Sequence, residues 1–277
     1  MRVNVLFARR HFGEIRPPAV AGMFYPRNPG ELKTAVARLL SQARAESWGE
    51  LVGLIAPHAG YMYSGDVAAE AFACITPSVK DFARVLLLGP PHYVAVRGVA
   101  GPSARSFATP LGEVPVDVGA IGRLQEAGLI VIDDEPHAPE HALEVELPFL
   151  QVALADFAIV PLLIGSAEPN RVAGIIDAVI DERTLLVVST DLSHYLDDAA
   201  ARARDQATAQ AVESLDFSRL EPKDACGVSA LNGALCAARE KDWRSARLAL
   251  SNSGAKSGDY GRVVGYGAWA LTSARSS

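Results

Sequence analysis

Three times along this chain an apolar run of strand length ends at a turn and a histidine follows. Leu51 to Ala56 runs into Pro57 and His58, Val85 to Leu88 into Gly89, Pro90, Pro91 and His92, and Leu185 to Val188 into Ser189, Thr190, Asp191, Leu192, Ser193 and His194. Short continuous apolar runs read as strands buried on both faces, the habit of a parallel sheet between helices. All strands of such a sheet open their carboxyl ends onto one crevice, so side chains placed just after different strands meet there although distant in sequence. A shared metal or catalytic site is the leading expectation.

The rest of the sequence supplies the helices that this architecture needs. Asn28-Pro29-Gly30-Glu31 is a helix start, with a cap, a proline in the first turn and a glutamate three positions after the cap, and Leu32, Val36, Leu39 and Leu40 continue it as one apolar stripe. Ser64 to Ile75 reads as a small-residue helix lying close on the sheet, Asp117 to Ala127 as a helix stopped by Gly128, and Glu140 to Ala155 as an amphipathic segment kinked near Pro148. Phe157 to Ile164 is a further strand, Pro169 opens a helix, and Asp197 to Leu215 and Pro222 to Glu240 are two more. Leu129 to Ile132 and Arg262 to Thr272 read as strands, with a Gly- and Ser-rich loop over Ser251 to Gly261. Residues 94 to 118 carry short extended pieces between Gly101-Pro102, Thr109-Pro110-Leu111-Gly112 and Pro115, which suggests edge strands or a hairpin beside the site. The fold class predicted is a single α/β domain over residues 1–277 with loose residues 1–13. Its central sheet is largely parallel and mixed at one edge, with helices on both faces.

Composition narrows the partners. A net charge of −6 offers no basic footprint for nucleic acid and none for an acidic membrane surface. Cys74, Cys226 and Cys236 are odd in number and widely spaced, which argues against a disulfide framework and for a reducing, cytoplasmic compartment. The apolar stretch near the N-terminus is too short for a signal peptide core, and no later run approaches a membrane span.

Of the six histidines, His58 and His92 form the best ligand pair, because each directly follows a proline that limits its backbone. The competing reading makes each a turn histidine bonded to backbone. Asp191 and His194, three apart, suit either a general base with an orienting carboxylate or two further ligands, and Asp191 or Ser193 is alternatively a helix cap. His137 and His141 have a four-residue spacing, but Ala138-Pro139 breaks any zincin helix, which leaves His141 with Glu144 as a substrate-contact pair or the glutamates as a solvated helix face. Cys226 beside Gly227 is either a buried small apolar residue or, near a helix start, a ligand. No G-x-S-x-G elbow and no phosphate-binding loop is present.

These blocks, in order, resemble the Memo family, also called AmmeMemoRadiSam system protein B: VAGMFYP (20 to 26), APHAGYMYSG (56 to 65), LLLGPPHY (86 to 93), ATPLGEVPVD (108 to 117), PEHALEVELPFLQ (139 to 151), VPLLIG (160 to 165), VVSTDLSHY (187 to 195), ACG (225 to 227) and SNSGAKSGDYGRVVGYGAWAL (251 to 271). The resemblance covers nearly the whole chain. It implies a fold similar to class III extradiol dioxygenases, which hold non-haem iron with two histidines and a glutamate. It implies a metal pocket at His58, His92 and Cys226, with His194, Asp191 and His141 around it as catalytic residues, and partners in an AmmeMemoRadiSam system. Two positions depart from the pattern: Tyr93 stands where many relatives carry a second histidine, and Val228 where they often carry arginine after Cys-Gly. The missing arginine weakens any role with an anionic substrate. A thiolate in place of a hard carboxylate favours copper, zinc or a thiolate-tuned iron.

Three functions follow as expectations. The first is an iron- or copper-dependent oxidoreductase, dioxygenase-like. The second is a non-catalytic module of enzyme-like fold that binds a peptide or small metabolite, and the third a zinc hydrolase using metal-bound water.

Overall fold

The computed structural model describes residues 13–44, 50–75 and 81–273. Nearly all of the segment expected to be loose, residues 1–13, lies outside the described residues. The strands are β1 (Ile15–Arg16), β2 (Glu50–Ala56), β3 (Arg84–Gly89), β4 (Val99–Gly101), β5 (Ser106–Thr109), β6 (Gly112–Pro115), β7 (Val131–Ile132), β8 (Ala158–Ile164), β9 (Thr184–Ser189), β10 (His194–Leu196), β11 (Trp243–Asn252) and β12 (Val263–Ser273). The helices are α1 (Pro29–Gln42), α2 (Tyr61–Phe72), α3 (Val118–Glu126), α4 (Leu147–Ala153), α5 (Pro169–Val179), α6 (Asp198–Glu213), α7 (Val228–Glu240) and α8 (Gly254–Ser257).

The main sheet runs β10-β12-β2-β9-β3-β8-β4-β7, with β11 also paired to β12. Its centre, β2-β9-β3-β8, is parallel throughout. Helices flank it in two groups, α1 with α2 and α4, and α3 with α5 and α7. That cover explains why β3 is buried from Val85 onward and β9 along its whole length. The sheet is mixed on both sides of this centre rather than at one edge. β4 is antiparallel to β8, and β12 is antiparallel to β2, β10 and β11. The short pieces between residues 94 and 118 divide: β4 joins the main sheet, while the hairpin of β5 and β6 takes β1 as a third strand to form a small separate sheet.

Local chemistry accounts for most boundaries. Asn28 caps α1 by accepting from the N–H groups of Gly30 and Glu31, and the stripe Leu32, Val36 and Leu39 is buried while Leu40 is half-buried. Asp117 caps α3 and Asp197 caps α6, so neither Asp191 nor Ser193 is spent as a cap. The segment after His141 differs from its expected form. A 3-10 turn over Glu144–Glu146 leads into α4, and Pro148 sits in the first turn of that helix, where a missing N–H costs nothing, so it starts a helix and does not kink one. Helix α7 begins at Val228, which leaves Cys226 in the turn before it. Strand β11 has no counterpart in the sequence reading, because its residues are half-buried and arginine-studded and present no clean apolar run.

Candidate metal centre

Strands β2, β9 and β3 are neighbours and parallel, so their carboxyl ends present His58, Asp191 with His194, and His92 side by side. A fourth imidazole arrives without a strand: His141, on the segment that runs into the 3-10 turn before α4. Donor atoms of His58, His92 and His141 lie within 4.8 Å of one another. The His92 and His141 rings stack with centroids 4.7 Å apart, and His58 meets both edge-on, at 5.1 and 5.4 Å.

Each ring is held by its Nδ1. His58 Nδ1 lies 2.7 Å from Ser189 Oγ and His92 Nδ1 2.8 Å from Glu140 Oε1, while His141 Nδ1 lies 3.3 Å from both Glu140 Oε1 and the Tyr93 hydroxyl. Second partners of this kind fix ring orientation and tautomer and leave Nε2 for the shared space. Glu140 is buried and also accepts the backbone N–H groups of His92, His141 and Ala142. Burial alone would raise its carboxyl, but the hydrogen bonds from the His92 ring and backbone and from Ala142 outweigh that and hold it down at about 2. Burial, reinforced by mutual repulsion, pushes His58 down to about 3 and His141 down to about 4. Both are therefore neutral at physiological pH, the form that binds metals.

Cys226 closes the other side, its Sγ 3.4 Å from His58 Nε2. Around a tetrahedral ion with bonds of about 2.0–2.3 Å, two ligand atoms stand roughly 3.5 Å apart, so this pair is already at ligand spacing. Asp191 staples the two residues together: its Oδ1 accepts the His58 N–H at 2.9 Å, its carbonyl accepts the Cys226 N–H at 3.2 Å, and its own N–H points at Cys226 Sγ at 3.3 Å. Burial, then the nearby Asp191 charge, pushes the Cys226 thiol up to about 12, so it is a neutral thiol before any cation arrives. Gly227 makes the approach possible. A Cβ there would stand 2.8 Å from Thr190 Cβ and 2.9 Å from Ser189 O, so Gly227→Ala is expected to destabilise by about 1–3 kcal/mol in chemical denaturation, the usual range for overpacking.

His194 is oriented by the Leu192 carbonyl, 2.7 Å from its Nδ1, and no hydrogen bond joins it to Asp191 among the described residues. Asp191, expected to orient His194, is bonded instead to His58 and Cys226. Glu144 is neither a substrate contact nor a solvated helix face. It is buried and paired with Arg16, and accepts from Ala19 N–H at 2.6 Å, Val20 N–H at 3.0 Å and the Tyr25 hydroxyl. His137 is buried and its Nε2 lies 3.1 Å from Ala100 O. The sequence pattern singles out neither Ser189 nor Glu146, and it presents Glu140 only as the start of an amphipathic segment. Three polar residues after a buried strand or inside an apolar segment were the available signal. At the mouth, Tyr93 and Tyr195 are 57% and 64% exposed, which makes the rim aromatic on two sides. Tyr93, the departure from the family pattern, thus sits against His141, while Val228 is a buried helix residue and puts no cation in the crevice.

The Memo-like protein family model matches residues 16–270, which contain every residue of this site. Curated relatives align over more than nine-tenths of both chains. A MEMO1 family protein of Thermotoga neapolitana is 35% identical over 276 residues, covering 91% of this chain and 98% of the relative. One from Methanosarcina acetivorans is 35% identical over 274 residues, covering 92% and 98%, and one from Thermoplasma acidophilum 33% over 262 residues, covering 91% and 96%.

Proposed function

Because this chain belongs to the Memo family, we propose that it is a metal-dependent, dioxygenase-like oxidoreductase of the cytoplasm, its crevice holding iron or copper between His58, His92 and His141 with Cys226 in reach. One observation carries the reading: three imidazoles from separate elements converge within 4.8 Å, two of them with Nδ1 bonded to a buried partner. Turn histidines that merely satisfied the backbone would have no reason to converge. His141 joins the ligand set in this reading, and the substrate lies against the exposed side under Tyr93. When bound, the ion supplies a redox-active, Lewis-acidic centre.

The chain's own groups do the rest. Glu140 keeps the His92 ring aligned, and Asp191 keeps His58 and Cys226 in register. The Leu192 carbonyl can only accept, so His194 Nδ1 is the donor of that contact, which leaves Nε2 as the ring nitrogen for acid–base work in the crevice. The thiol favours iron, copper or zinc over magnesium or calcium. No helix among the described residues is long and apolar enough to cross a membrane, and cysteines that are odd in number and widely spaced in the sequence support a reducing compartment.

Anaerobic purification followed by elemental analysis tests this. Stoichiometric iron or copper is expected in the wild type, with retention lost in His58→Ala, His92→Ala and His141→Ala, and oxygen uptake by the loaded protein alone. A folded wild type that takes up no transition metal overturns the reading, and activity with zinc under strict anaerobiosis replaces it with hydrolysis.

A further inference from the structure

Behind His58 lies a carboxyl group that the metal site does not touch. Glu146 is wholly buried, its Oε2 has no hydrogen-bond partner among the described residues, and its Oε1 is 2.8 Å from Ser189 Oγ. The same Ser189 oxygen lies 2.7 Å from His58 Nδ1 and 2.7 Å from Ala142 O. A hydroxyl has one proton and two acceptor positions. Ala142 O can only accept, and an ionised Glu146 can only accept, so with an anion present two acceptors would compete for one proton in a dry site. All three contacts are satisfied together in one way: Ser189 donates to Ala142 O, and both His58 Nδ1–H and a protonated Glu146 donate to Ser189. Burial acts in the same direction on Glu146, raising its carboxyl well above the usual range against the opposing Ser189 hydrogen bond, and the Asp191 charge adds to the rise.

We propose that Glu146 is a proton reserve for the metal centre: a neutral acid in the metal-free protein that ionises when a cation binds His58, with Ser189 turning to donate to the new carboxylate. The inference rests on the proposed metal site and goes beyond it. The products of the change are a Glu146 carboxylate, one proton released to solvent, and the chain Nδ1–H of His58 to Ser189 Oγ, then Ser189 O–H to Glu146. That is a carboxylate–histidine–metal arrangement with a hydroxyl inserted, and it places a compensating negative charge behind the ligand. The other titratable groups acting on Glu146 are Asp191, from the end of β9, and Tyr61, from α2, whose hydroxyl donates to Val145 O at 2.7 Å. Neither is a cation, so among the described groups acting on Glu146 none supplies the positive charge that an incoming ion would bring.

Infrared difference spectroscopy with zinc as the probe tests this. Zinc is redox-silent, so carboxyl bands report protonation alone. A protonated-carboxyl band is expected in the zinc-free wild type, absent from Glu146→Gln, and lost from the wild type on saturation with zinc. Glu146→Gln, neutral and isosteric, is expected to keep the thermal midpoint of the zinc-free protein, to bind zinc about 10–100-fold more weakly, the usual penalty for losing such a supporting group, and to release one proton fewer per ion. Ser189→Ala is expected to reproduce the weakened binding with the band retained under zinc. Zinc bound with the Glu146 band intact, the absence of that band from the zinc-free protein, or wild-type affinity in Glu146→Gln overturns the relay alone. Failure of the wild type to bind zinc at all overturns the metal reading and the relay together.

Discussion

Arg16→Met is expected to destabilise the protein by about 3–5 kcal/mol, the cost of removing one partner from a buried ion pair, read as a fall of roughly 10 °C in the unfolding midpoint at about 2–4 °C per kcal/mol. Arg16 and Glu144 are both buried, so the substitution leaves a carboxylate with no countercharge. Its guanidinium also donates to His137 O, at 3.2 and 3.1 Å, and to Glu140 O, and those carbonyls lose their donors as well. The segment it clasps carries Glu140 and His141, so metal retention should fall together with stability. In Arg16→Met/Glu144→Gln no charge is left alone, and much of the loss should be recovered. Calorimetry on the two variants decides the point: equal losses in the single and double variants would mean that the pair acts only through packing.

Arg16 also marks the limit of what the sequence makes legible. His58, His92, Asp191 and His194 can be read because each follows a strand whose uninterrupted apolar run fixes both its burial and the end of the sheet it faces. The parallel centre and the helix alternation follow from the same runs. His141 was visible only as a histidine with a glutamate one turn on, since the segment carrying it is a turn and a 3-10 helix with no period of its own. Its position over the crevice is set by Arg16, 125 residues away in sequence, and no local pattern records that contact. Glu146 falls inside a segment whose sequence reads as one amphipathic helix, and nothing in that pattern marks it as buried. It is buried because the chain is still in the 3-10 turn there, which changes the face a residue presents. Antiparallel pairing of β12 was equally hidden, because β11 is half-buried and its sequence lacks the contrast that marks a strand.

Zinc affinity is expected to rise steeply with pH in the wild type, and Cys226→Ala should flatten that rise by one power of ten per pH unit, roughly 100-fold between pH 7 and pH 9. The sign follows from which form of each group binds. A ligand cysteine binds as thiolate, yet burial and the Asp191 charge hold the free thiol up at about 12, so at any pH below that the ion must displace a proton from sulfur. Each proton displaced becomes easier to lose as pH rises, by about tenfold per unit. His58 and His141 add nothing to the slope, since burial holds them at about 3 and about 4 and they are already neutral across this range. The reserve proton of Glu146 would add a second power of ten to both proteins alike, so the difference between them isolates the sulfur. Competition with a chromophoric zinc chelator, repeated at several pH values, gives both slopes. Parallel slopes would remove Cys226 from the ligand set and leave three imidazoles alone to hold the ion, with the 3.4 Å approach of sulfur to His58 Nε2 serving only to pack the crevice wall.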